Sequence, residues 1–171
     1  MAQRRDDEAL FRSDLLEVLK KELKGELSAR NLRIDQKVRV LYDITTTPKK
    51  GQFEPDLGFL EQDVVIFSEL SVDPQLARHF RRTLDWTTIR MPHLVIEVKY
   101  RGINSHGLMT YSNIANKIKG IFTNAKYYLL LRYDDKSPET LLRHGTGFDR
   151  IIQLEKIKST RKEKQYEPGA L

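Results

Sequence analysis

The sequence predicts an α/β fold, a sandwich in which helices flank a mixed central β-sheet. Apolar residues recur at helical spacing near the N-terminus and again after residue 111, and several short runs rich in Val and Ile are typical of strands. Helical and strand segments also alternate along the chain. A length of 171 residues favours one domain, over residues 1–157, followed by a polar tail over residues 158–171.

The first elements follow from their apolar periodicity. A helix is predicted over residues 7–24, where Phe11, Leu15, Val18, Leu19 and Leu23 form one stripe. A half-buried strand is predicted over residues 32–42, with Ile34, Val38, Val40 and Tyr42 on one apolar face that only Gln36 interrupts. Turn formers and lysines then predict a loop over residues 45–52.

The second part of the chain continues the alternation. Strands are predicted over residues 61–67, 92–100, 127–131 and 148–154. Asp73-Pro74 indicates the start of a helix that ends near Trp86. A polar loop is predicted over residues 101–107. A helix over residues 112–125 follows it, with Ile114, Ile118, Ile121 and Phe122 as its core stripe.

Composition narrows the possible functions. Lys and Arg exceed Asp and Glu by 30 − 24 = 6, which favours a polyanionic partner. The absence of cysteine excludes disulfides and thiolate metal sites, so any metal would bind oxygen or imidazole. No apolar run reaches the length of a membrane span, and acids occupy the region where a signal peptide is apolar. We therefore expect a cytoplasmic protein without a membrane partner.

One candidate site combines two of the predicted strands. Glu97 and Lys99 stand two positions apart in an apolar strand, so their side chains project to the same side. Asp63 begins another apolar strand, which could lie beside the first and bring its carboxylate close to Glu97. Two carboxylates and one lysine at strand ends would bind a hard divalent cation and a phosphate, and the carbonyl of Val98 could add a ligand.

At these residues the sequence resembles the PD-(D/E)XK nuclease superfamily. Its signature, an acid at the start of one strand and Glu-x-Lys on the next, corresponds to Asp63 and to Glu97-Val98-Lys99. In some type II restriction endonucleases of this superfamily a helix opening in Thr-Tyr-Ser with downstream lysines follows, as in Thr110-Tyr111-Ser112 with Lys117 and Lys119. The resemblance covers residues 53–131.

The resemblance implies a restriction-endonuclease-like fold and a Mg²⁺-dependent endonuclease that hydrolyses double-stranded DNA as a homodimer. Asp63 and Glu97, with the Val98 carbonyl, would hold the metal, and Lys99 would orient and activate water. Two alternatives stay open. One is a structure-selective repair or recombination nuclease similar to a Holliday-junction resolvase, and the other is a DNA-binding module without catalysis.

Several residues around this site have more than one interpretation. Asp56, in the literal Pro55-Asp56, competes with Asp63 as the first metal ligand, although strand-forming residues directly follow only Asp63. Glu17 is either a further ligand or a solvated helix acid. The candidate DNA contacts are Arg101, Asn104, His106, Asn113, Lys117, Arg78, Arg81 and Arg82. For the last three, a charged outer helix face is equally compatible with the sequence.

Overall fold

A computed structural model describes residues 7–49, 52–73, 75, 88–134, 141 and 143–156 of the chain. Three helices are present in this part: α1 (Asp7–Glu22), α2 (Lys24–Ala29) and α3 (Ser105–Ile121). Five strands accompany them: β1 (Arg33–Lys49), β2 (Gln52–Ser71), β3 (Thr88–Lys99), β4 (Lys126–Asp134) and β5 (Arg150–Lys156).

The strands form one mixed sheet in the order β1-β2-β3-β4-β5. β1, β2 and β3 are antiparallel neighbours, whereas β3, β4 and β5 run parallel. α3 connects β3 to β4, as a parallel pair requires a crossover. The predicted α/β architecture, a mixed central sheet with flanking helices, is therefore confirmed.

One face of the sheet packs against α1. Phe11 and Leu16 of this helix are buried on Val64, Ile96 and other apolar residues of the central strands. The predicted stripe is only partly correct, because Leu16 is buried while Val18 is 38% exposed. The helix also ends at Glu22, before the predicted boundary, and α2 begins at Lys24.

The opposite face packs against α3. Ala115 and Ile118 are fully buried against a cluster that includes Val65 and Val95, and Leu108 joins a neighbouring cluster with residues of β4. The helix starts at Ser105 rather than at the predicted residue 112, because the Asn104 side chain accepts a hydrogen bond from the Gly107 N–H at 2.7 Å and caps it. Part of the predicted polar loop is thus helical.

A long two-stranded ribbon extends from the sheet. β2 pairs with β3 only from Val64 onward, so residues 38–49 of β1 and 52–62 of β2 pair only with each other within the sheet. We call this ribbon the β-arm, and at strand spacing it is about 35 Å long. The loop predicted over residues 45–52 is wrong, since its described residues, 45–49 and 52, are strand.

The apolar residues of β1 pack on both faces of the sheet. Ile34 joins the core under α1, whereas Val38 and Val40 join the core under α3. Lys37 between them has a φ of 56°, and the β1–β2 ladder pairs the residues on either side of it but not Lys37 itself. The prediction of one apolar face over residues 34–42 is wrong, because a left-handed residue inverts the side-chain alternation.

Three further predicted elements are the last strand, the helix after Asp73 and the C-terminal tail. The last strand lies at Arg150–Lys156, two residues later than predicted. Of the helix predicted from Asp73-Pro74 to Trp86, the structure describes only Asp73 and Gln75, and the tail over residues 158–171 falls outside the described residues. Within the part that is described, no helix is long and apolar enough to cross a membrane.

Candidate active site

The candidate site lies where β2 and β3 separate. Their antiparallel pairing ends at Val64 and Ile96, and the next residues toward the separating ends are Asp63 and Glu97. Both carboxylates are buried, with exposed fractions of 6%. The strand ends therefore bring the two predicted acids to one place.

Asp63 fills the gap that opens between the two strands. Its Oδ2 accepts a hydrogen bond from the backbone N–H of Val98 at 3.0 Å, where a β2 carbonyl would otherwise pair. In a strand the N–H and C=O of one residue point to the same side. The Val98 carbonyl therefore faces the same gap, beside the carboxylate of Asp63.

Lys99 joins the acids of the site. Its Nζ lies 2.9 Å from Glu97 Oε1 and 3.9 Å from Asp63 Oδ2. The same ammonium lies 4.8 Å from the centre of the Tyr111 ring, over whose face a cation is attracted. Burial alone would lower the pKa of Lys99, yet Glu97 and the other acids raise it above its ordinary value. Lys99 is consequently protonated at neutral pH.

Glu97 is the acid whose ionisation the site opposes most clearly. Burial, and secondly the charge of Asp63, raise the pKa of Glu97 from 4.5 to about 7, although Lys99 acts in the opposite direction. The same surroundings also raise the pKa of Tyr111, mainly through burial and then through Glu97. Strongly perturbed groups that share one cavity are typical of functional sites.

Helix α1 supplies two site residues that the sequence interpretation missed. Glu8 Oε1 lies 3.4 Å from Lys99 Nζ, and Glu8 Oε2 accepts the backbone N–H of Tyr100 at 3.5 Å. Arg12 Nη1 lies 3.0 Å from Asp63 Oδ1, with both side chains nearly buried. Glu8 and Arg12 stand four residues apart on one side of the helix, a spacing that is equally typical of an exposed helical ion pair.

Residues around this group complete the lining of the site. Buried Gln62 accepts a hydrogen bond from the Tyr127 hydroxyl at 2.6 Å, behind the two acids. Gln36, the polar interruption of β1, accepts a hydrogen bond from Arg12 Nε at 3.3 Å. The resulting cavity has a volume of about 390 Å³. It is lined by Glu8, Lys37, Leu60, Glu61, Gln62, Asp63, Glu97, Lys99, Thr110, Tyr111 and Ile114.

Lys37 reaches the same cavity from β1. Its Nζ lies 3.5 Å from Asp63 Oδ1 and 3.3 Å from Glu61 Oε1. A non-glycine residue in the left-handed region costs about 1–3 kcal/mol, and such residues concentrate at functional sites. The sequence carries no local signal of this conformation, because Lys37 occupies an ordinary polar position in an alternating pattern.

The donor set of the site fits a hard divalent cation. Within the described residues no group of three or more His, Asp and Glu side chains is arranged to hold a metal ion. Mg²⁺, however, commonly binds proteins through one or two carboxylates and keeps several waters. Asp63, Glu97 and the Val98 carbonyl supply such oxygens, and a cation there would favour the ionised form of Glu97.

The structure places the two other candidate metal ligands, Asp56 and Glu17, away from the site. Asp56 pairs with Thr45 in the β-arm, seven strand residues away from Asp63 and thus about 23 Å along the strand. Glu17 is exposed on α1. Neither residue belongs to the cavity that Glu97 and Lys99 line.

The predicted DNA contacts have mixed outcomes. Arg78, Arg81 and Arg82 lie outside the described residues. Asn104 caps α3, and Lys117 contacts Asp43 at 3.1 Å, which ties α3 to the base of the β-arm. The other three residues are exposed: Arg101, whose Nη2 lies 3.7 Å from Asp7 Oδ2, His106 and Asn113.

Comparisons with known proteins provide limited information. No protein-family model matches the chain, and no curated protein matches it. Among solved structures the chain is similar to "native BbvCI A2B2 tetramer at low resolution", with 16% sequence identity and a TM-score of 0.47. That likeness covers 66% of this chain and 42% of the other, so this chain spans less than half of its length. The function must be inferred from the side chains of the site.

Proposed function

We propose that the chain is a Mg²⁺-dependent endonuclease that hydrolyses phosphodiester bonds in double-stranded DNA. The observation that carries this proposal is the meeting of two buried carboxylates and one ammonium group, in which Lys99 Nζ contacts both Glu97 and Asp63. This set combines oxygen ligands for a hard cation with a positive charge for a phosphate.

Each of the central residues has a specific role in this proposal. Asp63, Glu97 and the Val98 carbonyl would hold Mg²⁺, which when bound offsets charge on the phosphate and lowers the pKa of an attacking water. Lys99, held protonated by the acids around it, donates hydrogen bonds to orient the water and stabilises negative charge that develops on the phosphate. A protonated ammonium cannot itself accept the proton of that water.

The residues of α1 position this machinery. Glu8 holds the ammonium of Lys99 and the backbone of Tyr100, and Arg12 holds one oxygen of Asp63. Because these contacts fix both side chains before a substrate arrives, little reorganisation is needed during the reaction. Tyr111 closes the other side of Lys99 with its ring.

The proposal is tested by incubating the purified protein with plasmid DNA and Mg²⁺. We expect cleavage by the wild-type protein and a loss of at least about 100-fold in rate for Glu97→Ala and for Lys99→Ala. Glu69→Ala is the matched control, since this acid lies on β2 at the other end of its pairing with β3, where it contacts Arg33. Its cleavage rate should stay unchanged.

The same purified proteins distinguish the proposed endonuclease from a structure-selective nuclease and from a DNA-binding module without catalysis. DNA binding by Glu97→Ala in Ca²⁺ should persist, which shows that the substitution removed chemistry and not folding. Preferential cleavage of a four-way junction over a linear duplex would favour a structure-selective nuclease. If the wild-type protein binds DNA but cleaves neither substrate, both nuclease hypotheses are wrong and the chain is a DNA-binding module without catalysis.

A further inference from the structure

Lys37 differs from the other cations of the site in exposure. Its side chain is 47% exposed, whereas Lys99 is 17% exposed and Arg12 is 10% exposed. Arg12 and Lys99 lie close to the buried acids Asp63 and Glu97, which would lose their neutralising charge if either cation left. The ion pair between Lys37 and the exposed Glu61, by contrast, is the kind that contributes little to stability. The ammonium of Lys37 can therefore exchange its exposed partner Glu61 for a ligand while it stays close to Asp63.

The backbone explains how a strand residue reaches this position. Lys37 has a φ of 56° in the middle of β1, and the ladder leaves out the pair that Lys37 and Asp63 would form. Among the described residues only Asn31 shares a positive φ without being glycine, and asparagine adopts it readily in a turn. The strained conformation at Lys37 coincides with its entry into the cavity of Glu97 and Lys99.

Two ammonium groups thus flank one carboxylate. Lys99 Nζ lies 3.9 Å from Asp63 Oδ2, and Lys37 Nζ lies 3.5 Å from Asp63 Oδ1. A phosphate held between Lys99 and the cation site leaves Lys37 on the far side of Asp63. A cation at that place would offset the repulsion between the buried acids and a neighbouring phosphate of the same strand.

We propose that Lys37 binds a DNA phosphate next to the one that is cleaved. This inference rests on the proposed function, because it takes the ligand to be the backbone of the substrate strand. The contact carries no sequence information and positions the strand over the site. Lysine suits this role because its hydrated ammonium makes a flexible point contact with phosphate.

The test measures DNA affinity without any divalent cation. A short random-sequence duplex is titrated in EDTA at increasing salt, and the slope of log affinity against log salt is compared between variants. Losing one phosphate contact should reduce the magnitude of this slope by about 0.9. We expect this reduction for Lys37→Gln, and no reduction for Lys37→Arg, which keeps the charge. Lys37→Gly is a second charge-removing variant that suits the left-handed backbone.

Lys126→Gln is the matched control. Lys126 is an exposed lysine paired with Asp149, and it lies at the start of β4, opposite Leu94 and away from the site. Its substitution removes the same charge and should leave the slope unchanged. The inference is wrong if Lys37→Gln and Lys37→Gly keep the wild-type slope, if Lys126→Gln reduces it equally, or if the wild type does not bind the duplex.

Plasmid cleavage is assayed in parallel, so that an error in the inference about Lys37 is distinguished from an error in the proposed function. If the Lys37 variants reduce the slope but the wild-type protein does not cleave DNA, the proposed endonuclease activity is wrong and the phosphate contact of Lys37 is supported. If the wild-type protein cleaves DNA but the Lys37 variants keep the wild-type slope, only the proposed phosphate contact of Lys37 is wrong.

Discussion

Glu97 connects the chemistry of the site to its stability. Its pKa of about 7 in the folded chain exceeds the ordinary value of 4.5, so ionising Glu97 is less favourable in the folded state than in the unfolded state. The contribution of this residue to stability is thus greatest below pH 4.5 and is lost as the pH rises toward 7. A carboxylate that destabilises the metal-free fold at neutral pH is suited to binding a cation.

We predict a pH-dependent difference between the wild-type protein and Glu97→Gln in EDTA. Between about pH 5 and about pH 8, the free energy of unfolding of Glu97→Gln should rise relative to the wild type by up to about 3 kcal/mol. Urea unfolding followed by circular dichroism at several pH values measures it. Glu17→Gln, an exposed acid of α1, should show no such trend. Parallel stability curves for Glu97→Gln and the wild type would contradict the raised pKa.

At the residue scale the sequence predicted the central charges but not their surroundings. Asp63, Glu97 and Lys99 were found because charged residues inside apolar strands need an explanation. Glu8 and Arg12 were missed because a polar helix face is normally solvated, and only the packing of α1 on the sheet turns that face inward. The left-handed Lys37 was missed because lysine has no preference for it.

At the element scale the β-arm is the largest difference between the predicted and the observed structure. Thr45, Thr46 and Thr47 are β-branched and favour a strand, but the nearby Pro48 and Gly51 predict a turn that includes them. The ladder shows that pairing continues past Pro48 to Lys49. Local turn formers set where a hairpin reverses and do not determine where its strands begin.

We predict that the outer part of the β-arm is dispensable for folding. Ile44 and Leu57 are paired across the strands, so replacing residues 45–56 by Asn-Gly allows a two-residue hairpin turn. The free energy of unfolding should change by less than about 1 kcal/mol, because the removed residues pair only with each other. Guanidinium unfolding of the shortened chain measures this.

A deeper truncation provides the control for the β-arm. Joining Leu41 to its partner Phe59 by the same turn also removes Asp43 and Tyr42, which contact Lys117 of α3. This variant should be less stable than the shorter truncation. If the shorter truncation already abolished cooperative unfolding, the outer arm would have to be part of the core.

At the scale of the whole molecule, the alternation of helices and strands was sufficient for the fold class. It was not sufficient for the sheet order, since periodicity does not show that β4 pairs parallel to β3, across the crossover of α3, or that β5 pairs parallel to β4. The position of the site followed from the same order, because the two acid-bearing strands are neighbours that separate at Asp63 and Glu97. Oligomeric state depends on surfaces that sequence periodicity does not describe.

We propose that the chain cleaves DNA as a homodimer, and this state has a consequence for the products of cleavage. Two sites related by a twofold axis can cut both strands in one encounter, whereas a monomer cuts one strand at a time. We predict that wild-type protein converts supercoiled plasmid to linear DNA with little nicked circle. Mixing in an excess of Glu97→Ala chains should place most wild-type chains in dimers with one competent site, and nicked circles should then accumulate.

Independent monomers would give a different result in this mixing experiment. The inactive chains would then only slow the reaction, and the ratio of nicked to linear product would stay that of the wild type. Mixing with Glu69→Ala chains, which keep both sites competent, should change neither rate nor products. Sedimentation of the wild-type protein at the assay concentration should show a species of twice the mass of the chain, because a dimer that dissociates under those conditions cannot couple the two cuts.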